Sequence, residues 1–190
     1  MERTVIKNLP EEFNVLKKIE NPFKKRLYFV GILTKYLSYK NIKPVIVGGH
    51  AVEFYTLGSY TTGDIDLICE GYDFIKELLK EWKFKKQGRL WILPEEDIEI
   101  DIVSSYLKDD DPSKISEVTV ENLKVYIIGI EDLIVDRLNA FVWWKSEEDK
   151  KWIRMIVKLH FKEIDKDYME KRTKQEKTFG AWEKIKNEKI

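Results

Sequence analysis

The run Pro44-Val45-Ile46-Val47, ended by Gly48-Gly49 and followed, after fourteen intervening residues, by Asp64-Ile65-Asp66-Leu67-Ile68, limits the folds open to this chain more than any other feature. A short apolar run stopped by two glycines predicts a buried strand and a tight turn. Residues 50–57 then predict a short helix. Two glycines let the backbone approach a ligand closely and leave N–H groups free. A helix that starts there adds unpaired donors and a dipole that favours phosphate. The segment 65–69 predicts a second strand. Asp64 and Asp66 are two residues apart, so both carboxylates point to one face, while Ile65 and Leu67 point to the core. Carboxylates held that close repel one another unless a cation sits between them. Mg²⁺ takes oxygen ligands and commonly binds carboxylates together with substrate phosphates. A pair of such ions would activate an attacking hydroxyl and stabilise a leaving pyrophosphate.

The remaining pattern interleaves strands and helices before helices take over. Residues 22–40 predict a helix that opens on Pro22 and repeats apolar residues at helical spacing. A helix follows at about 73–82, and strands at 89–93 and 97–103. In the last of these Asp97, Glu99 and Asp101 alternate with Ile98, Ile100 and Ile102. Residues 109–112 form a loop, 117–128 a hairpin turning near Glu121-Asn122, and everything from Glu131 onward is helical. The class is α/β, or α+β, with a helical C-terminal part. The expected division is residues 1–129 as a core with N-terminal helices and 130–190 as a helical extension packed on it.

A chain of 190 residues, 43% hydrophobic and 36% charged, can bury a substantial core. It has no apolar run near the roughly 20 residues needed to span a bilayer, and its start has no signal-peptide core. One cysteine, Cys69, excludes an intramolecular disulfide and a cysteine-based zinc site, and a cytoplasmic location is expected. Abundant Lys, Glu and Ile suit a thermophile. The net charge is zero but uneven: +6 over residues 1–43, −10 over 44–144 and +4 over 145–190. The basic flanks either meet a polyanion or pack on the acidic middle and neutralise it.

Val47-Gly48-Gly49 and Asp64-Ile65-Asp66-Leu67 resemble the signature of the nucleotidyltransferase superfamily: a hydrophobic residue, Gly-(Gly or Ser), a spacer, then Asp-hydrophobic-(Asp or Glu)-hydrophobic. The resemblance implies a mixed β-sheet flanked by helices. It implies a third carboxylate on a later strand, a place that Ile100-Asp101-Ile102 fits, although Glu99 shares that face. By this likeness Asp64, Asp66 and Asp101 are the catalytic and metal-binding residues for Mg²⁺ or Mn²⁺. Gly48, Gly49, His50, Thr62 and Arg137 are the candidate nucleotide contacts. The segment from Ile130 to Ala140, followed by Trp143-Trp144, is similar to a helix of small prokaryotic members, among them AbiEii-like toxins of type IV toxin–antitoxin systems. That likeness implies an NTP donor, RNA (including tRNA) or protein as acceptor, and an antitoxin partner. A nucleotide-binding or partner-binding module without turnover is the alternative. The chain departs from the pattern in three ways. Gly49 supplies no hydroxyl where a serine would. The spacer is long. Tyr60 stands where many relatives carry arginine, four residues before the first aspartate.

Several residues carry two readings from sequence. Arg137 falls in the middle of the apolar face of a helix starting at 130, so it is either a phosphate contact or part of a structural ion pair. His50 either touches phosphate or is a polar residue at a helix start. The tryptophans are expected in the core or at interfaces. Trp143 and Trp144 are adjacent and cannot share a helix face, so one of them is expected to be exposed.

Overall fold

The computed structural model describes residues 9–107 and 111–188. Of the expected 109–112 loop, residues 109 and 110 lie outside that range. A one-turn helix α1 (Phe13–Leu16) precedes α2 (Pro22–Leu37). Asn21 caps α2 by accepting from the Lys24 N–H at 2.8 Å, and Pro22 fills the first turn, where no N–H is needed. Then come β1 (Val45–Ile46), α3 (Gly48–Tyr55), β2 (Asp64–Ile68), α4 (Tyr72–Glu81), β3 (Lys85–Gln87), β4 (Leu90–Leu93) and β5 (Ile98–Ser104). The hairpin β6 (Ser116–Val120) and β7 (Leu123–Ile127) leads into α5 (Ile130–Trp144), α6 (Glu147–His160), α7 (Lys166–Gln175) and α8 (Phe179–Asn187).

All seven strands form one mixed sheet in the order β3-β4-β5-β2-β1-β7-β6. The β2–β5 and β1–β7 pairs are parallel and the others antiparallel. The register of β2 on β5 sets Asp64 beside Glu99 and Asp66 beside Asp101. Because facing residues of paired strands share a face, this pairing alone brings the carboxylates of both strands to one side. Ile65, Leu67, Ile98 and Ile100 fill the other side and are fully buried.

Helix α2 lies on β7, and Gly31 permits the approach: a Cβ there would stand 2.7 Å from the Leu123 Cβ. Helix α3 packs on β2 and is covered by α5 and α6, with α7 and α8 against α5. Buried residues of the C-terminal helices, including Met169, Trp182 and Ile185, join the sheet's core in one continuous cluster. Among the described residues no helix is long and apolar enough to cross a membrane.

The structure adds to the sequence reading at two places. Lys85–Gln87 is a strand although all three residues are exposed and none is apolar. Trp143 and Trp144 are both exposed, because α5 ends there and Lys145 takes a left-handed turn.

Candidate active site

The end of β1 and the start of α3 are built around one close contact. Gly48 has φ +57°, a conformation that strains any residue with a side chain. A Cβ at Gly48 would stand 2.1 Å from Asp66 Oδ2, so only glycine leaves room for that carboxylate. The next N–H, of Gly49, donates to Asp66 Oδ2 at 3.3 Å. No side chain caps α3, so its first donors have no intrahelical or capping partner apart from that long bond. The helix therefore begins at Gly48, two residues earlier than its apolar pattern indicates, and both glycines belong to its first turn.

The carboxylates stand side by side, each with its own partner. Asp64 Oδ1 accepts from the Thr62 hydroxyl at 2.9 Å. Asp66 accepts from Gly49. Asp101 is only 4% exposed, and its Oδ2 lies 2.9 Å from Arg89 Nε. Arg89 is otherwise exposed and comes from the β3–β4 turn, where Gly88 has φ +58°. Burial pushes the Asp66 carboxyl above its ordinary value, and the charges of Asp64 and Asp101 push it further. The three aspartates thus generate a concentrated negative field that Arg89 only partly offsets. Among the described residues no three His, Cys, Asp or Glu side chains are drawn together as a finished metal-ligand set. The donor chemistry nonetheless suits a hard divalent cation: carboxylate oxygens on adjacent strands, one of them in a site where negative charge is costly.

A cleft of about 500 Å³ opens over Gly48 and Asp66 and is bounded across from them by α5 and α7. Its far wall holds Asp132, Asp136, Arg137, Asn139, Arg172 and Glu176. Asp132 is buried, accepting from the Tyr168 hydroxyl at 2.7 Å and lying 3.4 Å from Arg172 Nε. A larger cavity of about 1030 Å³, lined by Phe23, Phe54, Leu57 and Val118, reaches Thr62 but neither the glycines nor the aspartates. The smaller cleft is the better candidate because the glycine turn and Asp66 both open into it.

Arg137 lines this cleft from the edge of α5 rather than from the middle of its apolar face. Ile130, Leu133, Ile134 and Leu138 are buried, whereas the Arg137 side chain is 24% exposed. Its Nη1 bonds Asp149 at 3.1 Å and its Nε bonds Asp136 at 3.1 Å. The ion-pair reading from sequence is thus what the geometry contains, with the guanidinium still facing the cleft. His50, also a candidate nucleotide contact from sequence, points away from solvent. The side chain is fully buried, its ring packs on Phe23 at 5.3 Å, and Nδ1 accepts from Arg26 Nε at 3.4 Å. It forms a floor with the buried Arg26–Glu53 ion pair, 2.8 Å across, and burial holds its pKa below the ordinary value.

Sequence reasoning missed Arg89, Asp132, Tyr168 and Arg172. Arg89 has no periodic signal; only the register of β4 on β5 brings it to Asp101. Arg172 sits in a helix whose only apolar side chains are Tyr168 and Met169, so no repeating apolar spacing marks it as buried.

The sheet order and the placement of the helices define a nucleotidyltransferase-type fold. The chain belongs to a family described as a nucleotidyltransferase of unknown function (DUF6036), whose model matches residues 25–189. No curated protein matches it by sequence. Among solved structures it is similar to an antigenic nucleotidyltransferase-like protein from Paracoccidioides brasiliensis. That match has TM-score 0.56 and 16% identity, covering 85% of this chain and 94% of the other. It is also similar to the antibiotic-resistance factor ANT(2'')-Ia, with TM-score 0.52 and 14% identity over 83% and 93% of the two chains. At these identities the likeness concerns the fold.

Proposed function

We propose that this protein transfers a nucleoside monophosphate from an NTP to an acceptor hydroxyl, releasing pyrophosphate, in a reaction dependent on Mg²⁺ or Mn²⁺. The observation that carries the proposal is the β2–β5 register, which sets Asp101 beside Asp66, where Asp66 and the uncapped start of α3 share one side of the cleft. In this reading Asp64, Asp66 and Asp101 hold the cation. When bound it would screen the triphosphate's charge and favour ionisation of the acceptor hydroxyl. The N–H groups of the first turn of α3, at Gly48 and Gly49, bind the phosphates. Thr62 keeps Asp64 in position, and Arg137 faces the same cleft. The acceptor oxygen forms a bond to the α-phosphorus, and the bond from that phosphorus to the oxygen bridging to the β-phosphate breaks. Pyrophosphate leaves with the electron pair. The acceptor's proton passes to Asp101, for which Arg89 must release that carboxylate.

The acceptor is RNA, including tRNA, or a protein. The acidic balance of the far wall, with Asp132, Asp136 and Glu176 against Arg137 and Arg172, favours a protein hydroxyl over a polyanion. The likeness of Ile130–Trp144 to toxin-type members extends the proposal to a toxin-like enzyme held in check by an antitoxin. Transfer of α-phosphate label from NTPs, abolished by Asp66→Asn, is the test. A second reading, a binding module without turnover, is favoured by the Arg89–Asp101 pair, which already satisfies one of the three carboxylates. Nucleotide binding with no labelled product would mark it.

A further inference from the structure

Gly49 brings no side chain to the phosphate-facing turn, but a hydroxyl arrives there from another segment. A Cβ built on Gly49 would lie 3.3 Å from the Tyr60 hydroxyl oxygen and 3.2 Å from Thr62 Oγ1. Both side chains come from the loop between α3 and β2 and close over the first turn of α3. The Thr62 hydroxyl is committed, since it donates to Asp64. The Tyr60 hydroxyl has no hydrogen-bond partner among the described residues.

It is also rigidly presented. The ring meets Trp152 edge-on, with centroids 5.0 Å apart and planes at 79°. The Tyr60 backbone N–H donates to Thr56 Oγ1 at 3.2 Å, and that fully buried threonine donates to Val52 O at 2.7 Å. A phenol held in this way loses little conformational freedom when it binds, so its hydrogen bond counts nearly in full. It stands beside the first turn of α3, where an anion is favoured, and its charged neighbours are Arg137 and the acids Asp64, Asp149 and Glu148.

We propose that Tyr60 is a triphosphate-binding residue whose hydroxyl donates to a non-bridging oxygen of the β- or γ-phosphate of the bound NTP, delivering from the loop the hydroxyl that position 49 lacks. This rests on the nucleotide site proposed above. A hydroxyl-to-phosphate bond of this kind is removed by Tyr60→Phe, which keeps the ring and its contact with Trp152.

The test is calorimetric titration of wild type and Tyr60→Phe with each of the four NTPs in the presence of Mg²⁺, and with the corresponding monophosphates. For the NTP that binds best, Tyr60→Phe should weaken affinity about tenfold. Affinity for the monophosphate should stay within roughly twofold, because the contact is to the β- or γ-phosphate, and the melting temperature should be unchanged. Equal NTP affinity in the two proteins, or equal weakening for NTP and monophosphate, overturns the assignment of Tyr60 and leaves the nucleotide site standing. A wild type that binds none of the four NTPs overturns both.

Discussion

Asp66 is half-buried and His50 fully buried, to opposite ends, and each makes a prediction. Asp66 is held where its charge is unwelcome, by burial first and then by Asp64 and Asp101. Asp66→Asn removes one of three crowded charges, so the fold should be kept and the melting temperature unchanged or raised. A rise of about 1 kcal/mol would appear as roughly 2–4 °C in a chain of this size. His50 is neutral in the fold because burial lowers its pKa below the ordinary 6.5. The unfolded chain therefore takes up its proton first as pH falls. The stability this residue contributes is complete above about pH 6.5 and is lost as pH falls below it. Melting curves of wild type from pH 8 to 5 should drop in that lower range, and His50→Leu should flatten the drop. Parallel curves for the two proteins would show that His50 is not the titrating group. At this scale Gly48, Gly49, Asp64 and Asp66 were legible because two glycines and an alternating acid–apolar strand leave a local mark. Arg89 was not, since it reaches Asp101 only through a turn that brings distant segments together, and Tyr60 was marked only as a departure from the pattern.

Among the elements, the joint between β1 and α3 is the least tolerant. Gly48 has both a left-handed φ and a carboxylate where a side chain would go. Gly48→Ala should cost about 1–3 kcal/mol in a denaturant melt. Adding Asp66→Ala should not fully recover it, because the backbone penalty remains after the clash with the carboxylate is removed. Full recovery by the second change would show that the backbone conformation costs nothing. The strands with apolar alternation, β2 and β5, were readable from sequence, as was the β6–β7 hairpin from its turn. Strand β3 was not, because Lys85-Lys86-Gln87 pairs with β4 through its backbone and presents no apolar face. The early start of α3 was also hidden, since its first two residues are glycines that carry no periodicity.

Over the molecule as a whole, part of the uneven charge is met by pairing between segments. Basic residues of the flanks meet acids of the middle at Lys25–Glu96, Arg26–Glu53 and Arg172–Asp132. The acidic middle is therefore partly neutralised by its own flanks, the second of the two readings open from composition. The Arg172–Asp132 pair joins α7 to α5 in the wall of the cleft, and Met169 of α7 and Leu133 of α5 belong to the same core cluster as the sheet. We predict that the helical extension and the sheet unfold together. Arg172→Met would leave Asp132 buried without its cation and should cost about 3 kcal/mol, in a single transition seen alike by helix and tryptophan signals. Two separated transitions would mark the extension as an independent unit. The central claim, however, concerns chemistry. Its most direct test is incubation of the protein with each α-phosphate-labelled NTP, with Mg²⁺ or Mn²⁺, and total RNA or protein extract, alongside Asp66→Asn. The account predicts label on one polymer from one preferred NTP, dependent on the cation and lost in Asp66→Asn. Label that persists in Asp66→Asn, or no label from a wild type that binds NTP, would contradict it.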